Sequence, residues 1–71
     1  KALIFPNPAS DFIQLKGVGF SVVEIYNVLG VLKKTSDIQL ISISDLTKGT
    51  YLLVTKNSKG DDVFSKKLII Q

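Results

Sequence analysis

Cysteine, histidine, methionine, tryptophan and arginine are all missing from this 71-residue chain. Without cysteine there is no disulfide and no thiolate metal site. Without histidine the usual base of Ser-His-Asp and Cys-His catalysis is gone, together with a common zinc ligand. Without arginine the planar fork that grips guanine and phosphate is gone as well. The net charge of +3 is carried by nine lysines spread along the chain, with only Lys33-Lys34 and Lys66-Lys67 adjacent. That distribution reads as solvated strand faces and loops, not as a basic stripe for nucleic acid. Unbroken apolar runs reach only four residues, as in Ala2-Phe5 and Tyr51-Val54, too short to span a membrane. A basic start followed by an apolar leader core is not found either.

What is present is aliphatic. Hydrophobic residues form 45% of the chain, dominated by Ile, Leu and Val, enough for one small domain without staples. A chain of this size buries only about 60% of the surface it exposes when unfolded, so the core is small. The segments read as short strands closed by turns. Ala2-Phe5 stops at Pro6-Asn7-Pro8, where two fixed φ angles and missing donors end a ladder. Phe12-Leu15 alternates and runs into the flexible Lys16-Gly17-Val18-Gly19. Ser21-Tyr26 sets Val23 and Ile25 on one face. Asn27-Val28-Leu29-Gly30 reads as a hairpin connection in which Asn27 and Gly30 suit unusual φ values, and Val31-Lys34 is its return strand. Gln39-Ser44, Tyr51-Lys56 and Val63-Ile70 follow, the last two separated by the turn Asn57-Asp61. Seven strands at roughly ten-residue spacing predict a small antiparallel β-sandwich. The expected core is Ile4, Ile13, Leu15, Val23, Ile25, Ile41, Ile43, Leu46, Tyr51, Leu53, Phe64, Leu68 and Ile70.

Chemistry is scarce. Asp61-Asp62 is the one adjacent acidic pair, and neighbouring strand residues face opposite ways. Calcium needs six or more converging oxygens, and Asp37, Asp45, Asp61 and Asp62 lack loop spacing for it. They are expected to accept turn hydrogen bonds from their own backbone. Gly17-x-Gly19 has no third glycine and no helix after it, so it does not cradle phosphate. No catalytic, cofactor-binding or metal-binding residue is assigned, and an enzyme is not expected.

Four short signatures remain. Phe5-Pro6-Asn7-Pro8-Ala9-Ser10-Asp11 stands near the start. Val23-Glu24-Ile25-Tyr26-Asn27-Val28-Leu29-Gly30 and Ile43-Ser44-Asp45-Leu46-Thr47-Lys48-Gly49-Thr50-Tyr51 follow, and Lys66-Lys67-Leu68-Ile69-Ile70-Gln71 closes the chain. In this order, from about Phe5 to Gln71, they resemble the type A C-terminal sorting domain of the type IX (Por) secretion system of Bacteroidetes. Residue by residue, Pro6, Asn7 and Pro8 match the family's opening motif, Gly30 its hairpin glycine, and Gly49 and Tyr51 its glycine-x-tyrosine. Lys67, Leu68, Ile69, Ile70 and Gln71 match its closing stretch.

The resemblance implies an all-β, immunoglobulin-like antiparallel sandwich. It also implies a single domain over residues 1–71 at the end of a larger secreted protein, in keeping with the missing methionine. The cargo would cross to the periplasm and leave through the outer-membrane type IX translocon. A sortase-like surface peptidase would then remove the domain at or before Lys1, leaving the cargo on the surface or outside the cell. Gly49 and Tyr51 are expected to hold the fold, and Lys67 with the terminal strand to be recognised, its exposed edge adding to a sheet on the partner. Exposed edges in so small a sandwich also suggest a strand-exchanged homodimer of the isolated domain. The alternatives are a fibronectin-like or carbohydrate-binding module, and a structural spacer. The first would want a surface aromatic platform, whereas tryptophan is absent and the other aromatics fall mostly within strands.

Overall fold

A computed structural model describes residues 3–17 and 19–71; the expected strand start at Ala2, Val18 of the first glycine turn and the cleavage point at Lys1 lie outside them. Seven strands form and, among the described residues, no helix. Strands β1 (Leu3–Phe5), β2 (Phe12–Lys16) and β5 (Leu40–Ser42) make a three-stranded sheet in the order β1-β2-β5. Strands β3 (Val22–Asn27), β4 (Leu32–Ser36), β6 (Gly49–Lys56) and β7 (Asp62–Ile70) make a four-stranded sheet in the order β4-β3-β6-β7. Every strand pair within the two sheets is antiparallel. The expected small β-sandwich is what the sequence builds.

Alternation decides which face goes inward. Ile13, Leu15 and Ile41 of the smaller sheet meet Val23, Ile25, Leu53, Leu68 and Ile70 of the larger one, with Ala9, Ile43 and Tyr51 completing the core. Ile4, Leu46 and Phe64 were expected inside and are half-buried against it. Each sits where the sandwich runs out: Ile4 on an edge strand, Leu46 in the turn after β5, Phe64 beside the bulge between Thr55 and Lys56. Three residues outside the expected core are buried as well. Ala9 lies in a segment that reads as a turn. Thr55 is fully buried between Val23 and Phe64, its hydroxyl donating to the Phe64 carbonyl at 3.4 Å. Val54 points to the outer face, yet its cross-strand neighbours Glu24 and Ser65 and its strand neighbours leave it buried.

Strand β4 continues past Lys34 through Thr35 and Ser36, which pair with Glu24 and Val23. Polarity is no obstacle on an edge strand, because one rim and one face stay wet.

The two hairpin turns of the larger sheet are copies of each other. The Asn27 amide donates to the Val31 carbonyl and the Gly30 amide to the Asn27 carbonyl, both at 3.0 Å. Asn57, Asp61 and Gly60 repeat these bonds, again at 3.0 Å. In each turn the asparagine Oδ1 accepts two more amides, from Leu29 and Val31 at 2.9 and 3.0 Å, and from Lys59 and Asp61 at the same distances. Gly30 and Gly60 take φ of 80° and 85°, and among the described residues only glycines have positive φ. Asn27 therefore serves as an acceptor, not as the residue with unusual φ. Asp45 accepts a bond from its own backbone amide, as expected of the aspartates, and Asp45 and Asp62 also take ion pairs from Lys34 and Lys56, each at 2.7 Å.

Leu53 is fully buried on a central strand, between Ile25 and Lys66. Leu53→Ala is expected to cost about 2–5 kcal/mol, from lost burial plus the cavity left behind. Urea unfolding followed by circular dichroism should show a lower midpoint with an unchanged slope.

Candidate functional site

The opening and closing signatures, sixty residues apart, meet in space. After β1 the chain leaves its own sheet, touches the outer edge of β7, and returns to form β2. The Asn7 side chain donates through Nδ2 to the Lys67 carbonyl at 3.0 Å and accepts the Ile69 amide through Oδ1 at 3.1 Å. Ala9 continues the contact as a parallel bridge to Ile70. Its amide donates to the Ile69 carbonyl at 2.8 Å, and its carbonyl accepts the Gln71 amide at 2.7 Å.

The chemistry explains the residue type. A primary amide carries one acceptor and two donors on a short arm, so it can imitate a peptide group along a strand edge. Aspartate lacks the donor, and serine offers only a single hydroxyl for both bonds. Both peptide bonds preceding the prolines are cis, and Pro6, Asn7 and Pro8 remain at the surface. Ala9 is only 3% exposed, so its methyl fills a space that a larger side chain would overfill.

This clasp revises the expectation of an open terminal edge. Backbone groups facing outward on β7 come from alternate residues. From the Lys67 carbonyl to the Gln71 amide these are met by Asn7 and Ala9, so strand addition from a partner is blocked along that half. Side chains sort by the same alternation. Leu68 and Ile70 are buried; Lys67 and Gln71 are exposed and Ile69 half-buried.

The other sequence-predicted residues, Gly30, Gly49 and Tyr51, lie outside this clasp. Gly49 starts β6 opposite Ile70 with φ of 148°, a conformation that strains any residue with a Cβ although nothing stands nearby. Tyr51 buries its ring, and its hydroxyl donates to the Thr47 carbonyl at 2.6 Å, with Thr47 Oγ1 at 3.0 Å. That bond fixes the loop before β6 in the manner of a tyrosine corner. Gly30 belongs to the first of the twin turns. Sequence reasoning missed Ala9 as part of the clasp. Its signal, a small residue between two proline-set turns and a polar stretch, has no periodicity to read.

The outer face of the four-stranded sheet carries a polar network. The Tyr26 hydroxyl donates to Glu24 at 2.5 Å, and this bond raises the phenol above its ordinary value, aided by partial desolvation. Lys56 lies 2.7 Å from Asp62 and 4.0 Å from Glu24; the hydrogen bond to Asp62 is the main cause of its raised pKa. Asp45 is lowered, first by Lys34 and then by a bond from its own backbone amide. On the other sheet, Phe5 and Phe12 are exposed, although both fall within strands. Lying within a strand therefore did not keep aromatic surface from water.

The arrangement defines a small β-sandwich module closed by its own two ends. The family model of the secretion system C-terminal sorting domain matches residues 3–71, and the chain belongs to that family. It is thus a C-terminal sorting signal of type IX secretion, attached to an N-terminal cargo and recognised by the type IX machinery. Through that system the cargo is exported to the cell surface or beyond, and the family, typical of Bacteroidetes, is not a catalytic one. None of the curated proteins matches this chain significantly.

Two predictions follow from the site. Asn7→Ala removes two bonds at a partly exposed edge and is expected to cost about 1 kcal/mol, a melting shift of roughly 4–8 °C for a domain this size. Asn7→Asp should cost at least as much, because it sets a carboxylate against the Lys67 carbonyl; calorimetry of both variants checks the order. The pH profile follows from linkage. The contribution of Asp45 is present above the ordinary carboxylate range and is lost as pH falls through its lowered value. Those of Tyr26 and Lys56 are present below their ordinary values near 10 and are lost as pH rises through the raised ones. With no histidine or cysteine, melting temperature should be flat from about pH 5 to 9 and fall modestly on both sides, since exposed pairs contribute little. Tyr26→Phe should make the alkaline fall shallower.

Proposed function

We propose that the type IX translocon reads this domain folded, with the Asn7–Ala9 segment laid on Lys67–Gln71 as one composite address. The observation that carries this reading is the four-bond clasp itself. Residues at the two ends of the chain become a single surface only in the folded state. Exposed Pro6, Pro8, Lys67 and Gln71, with half-exposed Ile69, are the side chains offered there. Leu68, Ile70 and Tyr51 lie buried beneath it and hold the strands in place, while Gly30 and Gly49 set the turn before β4 and the start of β6.

A folded address suits a signal shared by unrelated cargoes. Its shape depends on its own core and clasp and not on what precedes it. Passage through the periplasm in this form, then removal by a sortase-like surface peptidase acting before β1, would leave the clasp whole until export is complete.

The test is an export assay. Residues 1–71 are placed behind a signal peptide and a fluorescent reporter, in a Bacteroidetes strain with and without a working translocon. Reporter should appear outside the wild-type cells and stay in the mutant's periplasm; retention in both, with the domain folded, would refute sorting by this chain. Truncating Leu68–Gln71 is a poor probe, since it strips two core residues. Asn7→Asp is better, compared with Ile25→Val, which also costs about 0.5–1.5 kcal/mol but leaves the surface alone. Export should fall for the Asn7 variant and hold for the core variant. Equal export of the two would show that the clasp is structural only.

A further inference from the structure

The twin turns provide an internal control. Asn27–Val31 and Asn57–Asp61 share the same four hydrogen bonds and the same glycine geometry. Their central residues differ: Ser58-Lys59 in one, Val28-Leu29 in the other. The turn itself plainly does not need aliphatic side chains at its tip. Yet Val28 and Leu29 are 77% and 83% exposed, the highest values among the exposed large apolar residues of the described chain. They gain almost nothing from burial within the domain, and the neighbouring Val31 and Leu32 are exposed as well.

The tip stands at one end of a groove of about 590 Å³ on the outer face of the four-stranded sheet. Tyr26, Leu52 and Val54 are among its lining residues, and Lys67 flanks it. Tyr26, Leu52 and Lys67 form one rung across β3, β6 and β7. The two cations of the groove are not equivalent. Lys56 is neutralised by Asp62 at 2.7 Å, whereas Lys67 has no ion partner among the described residues. The groove thus combines an aliphatic rim, an apolar floor and a single uncompensated positive charge.

We propose that the Val28–Leu29 tip and the groove over Tyr26 and Leu52 form a docking surface for a protein segment of the secretion machinery. That segment carries an apolar side chain next to a carboxylate. The apolar side chain fills the groove against Leu52, the carboxylate meets Lys67, and Val28 and Leu29 cover the contact from the turn. The concavity favours a protruding protein segment over a flat lipid surface. Its place on the sheet face, not the edge, means that the contact uses side chains and not an added strand. This deepens the sorting reading and rests on it. Lys67 joins the two surfaces, since its carbonyl belongs to the clasp and its ammonium to the groove.

The experiment grafts the polar tip onto the apolar turn. Val28→Ser with Leu29→Lys copies the sister turn, so folding is expected to be retained, checked by circular dichroism and thermal melting. In the reporter export assay the double variant should fall about tenfold below the wild-type chain, the loss expected for removing a central apolar anchor. Lys67→Glu should fall similarly, and Leu52→Thr, which places a β-branched, strand-favouring residue there, is the second probe should the graft destabilise the turn. Full export of all three would overturn the inference and leave the sorting function standing. Failure of the wild-type chain itself to be exported would overturn both. Purified wild-type domain is also sedimented with phosphatidylcholine–phosphatidylglycerol vesicles; binding lost in the Val28/Leu29 variant would assign the tip to lipid and refute the protein partner.

Discussion

The fold depends on how its two ends are joined. A sandwich of seven strands has edges to protect and a small core to do it with. Cysteine is absent, so no covalent staple is available. The chain meets this by sending residues 7–9 out of the three-stranded sheet and onto the edge of the four-stranded one. Asn7 and Ala9 thereby tie one sheet to the other through hydrogen bonds, while Ala9 adds its methyl to the shared core. Closing the terminal edge and linking the layers are one act. The burial of Leu68 and Ile70 and the display of Lys67 both depend on β7 being held there.

A domain this small has little stability to spare. The family's opening and closing motifs lie where the two sheets are joined, so the same residues close the edge and link the layers. Gly49 and Tyr51 set the start of β6, which pairs with the end of β7 on the other side of the clasp. The side chains of Lys67 and Gln71 at that end stay exposed to solvent. Electrostatics play a supporting part. The ion pairs are exposed, and the main effect of Asp62 is to neutralise Lys56, which leaves Lys67 as the distinctive charge of the groove.

Much of this was legible in advance because its physics is local. Alternation placed Ile13, Leu15, Val23, Ile25, Ile41, Ile43 and Leu53 correctly, since period-two burial needs only the next residue but one. The turn at Asn57–Asp61 was legible from its asparagine and glycine. Asn27 was misread in detail: its side chain accepts bonds, and the positive φ belongs to Gly30 alone. Lys34 and Lys56 finding Asp45 and Asp62 was not legible, because these pairs depend on which strands become neighbours. Val54 fails alternation for the same reason, its burial coming from residues on β3 and β7.

The sequence by itself determined the all-β class, the strand count, the turn positions and the family, because these follow from residue spacing and from motifs in order. The tertiary structure decided what those motifs do to one another. Whether Pro6-Asn7-Pro8 merely ends a strand or closes another one depends on a contact across sixty residues, which no local pattern encodes. It also decided that Val28 and Leu29 stay exposed. In sequence they are two more aliphatics beside a strand. Only the folded turn, set against its polar twin, shows them standing in water next to a groove.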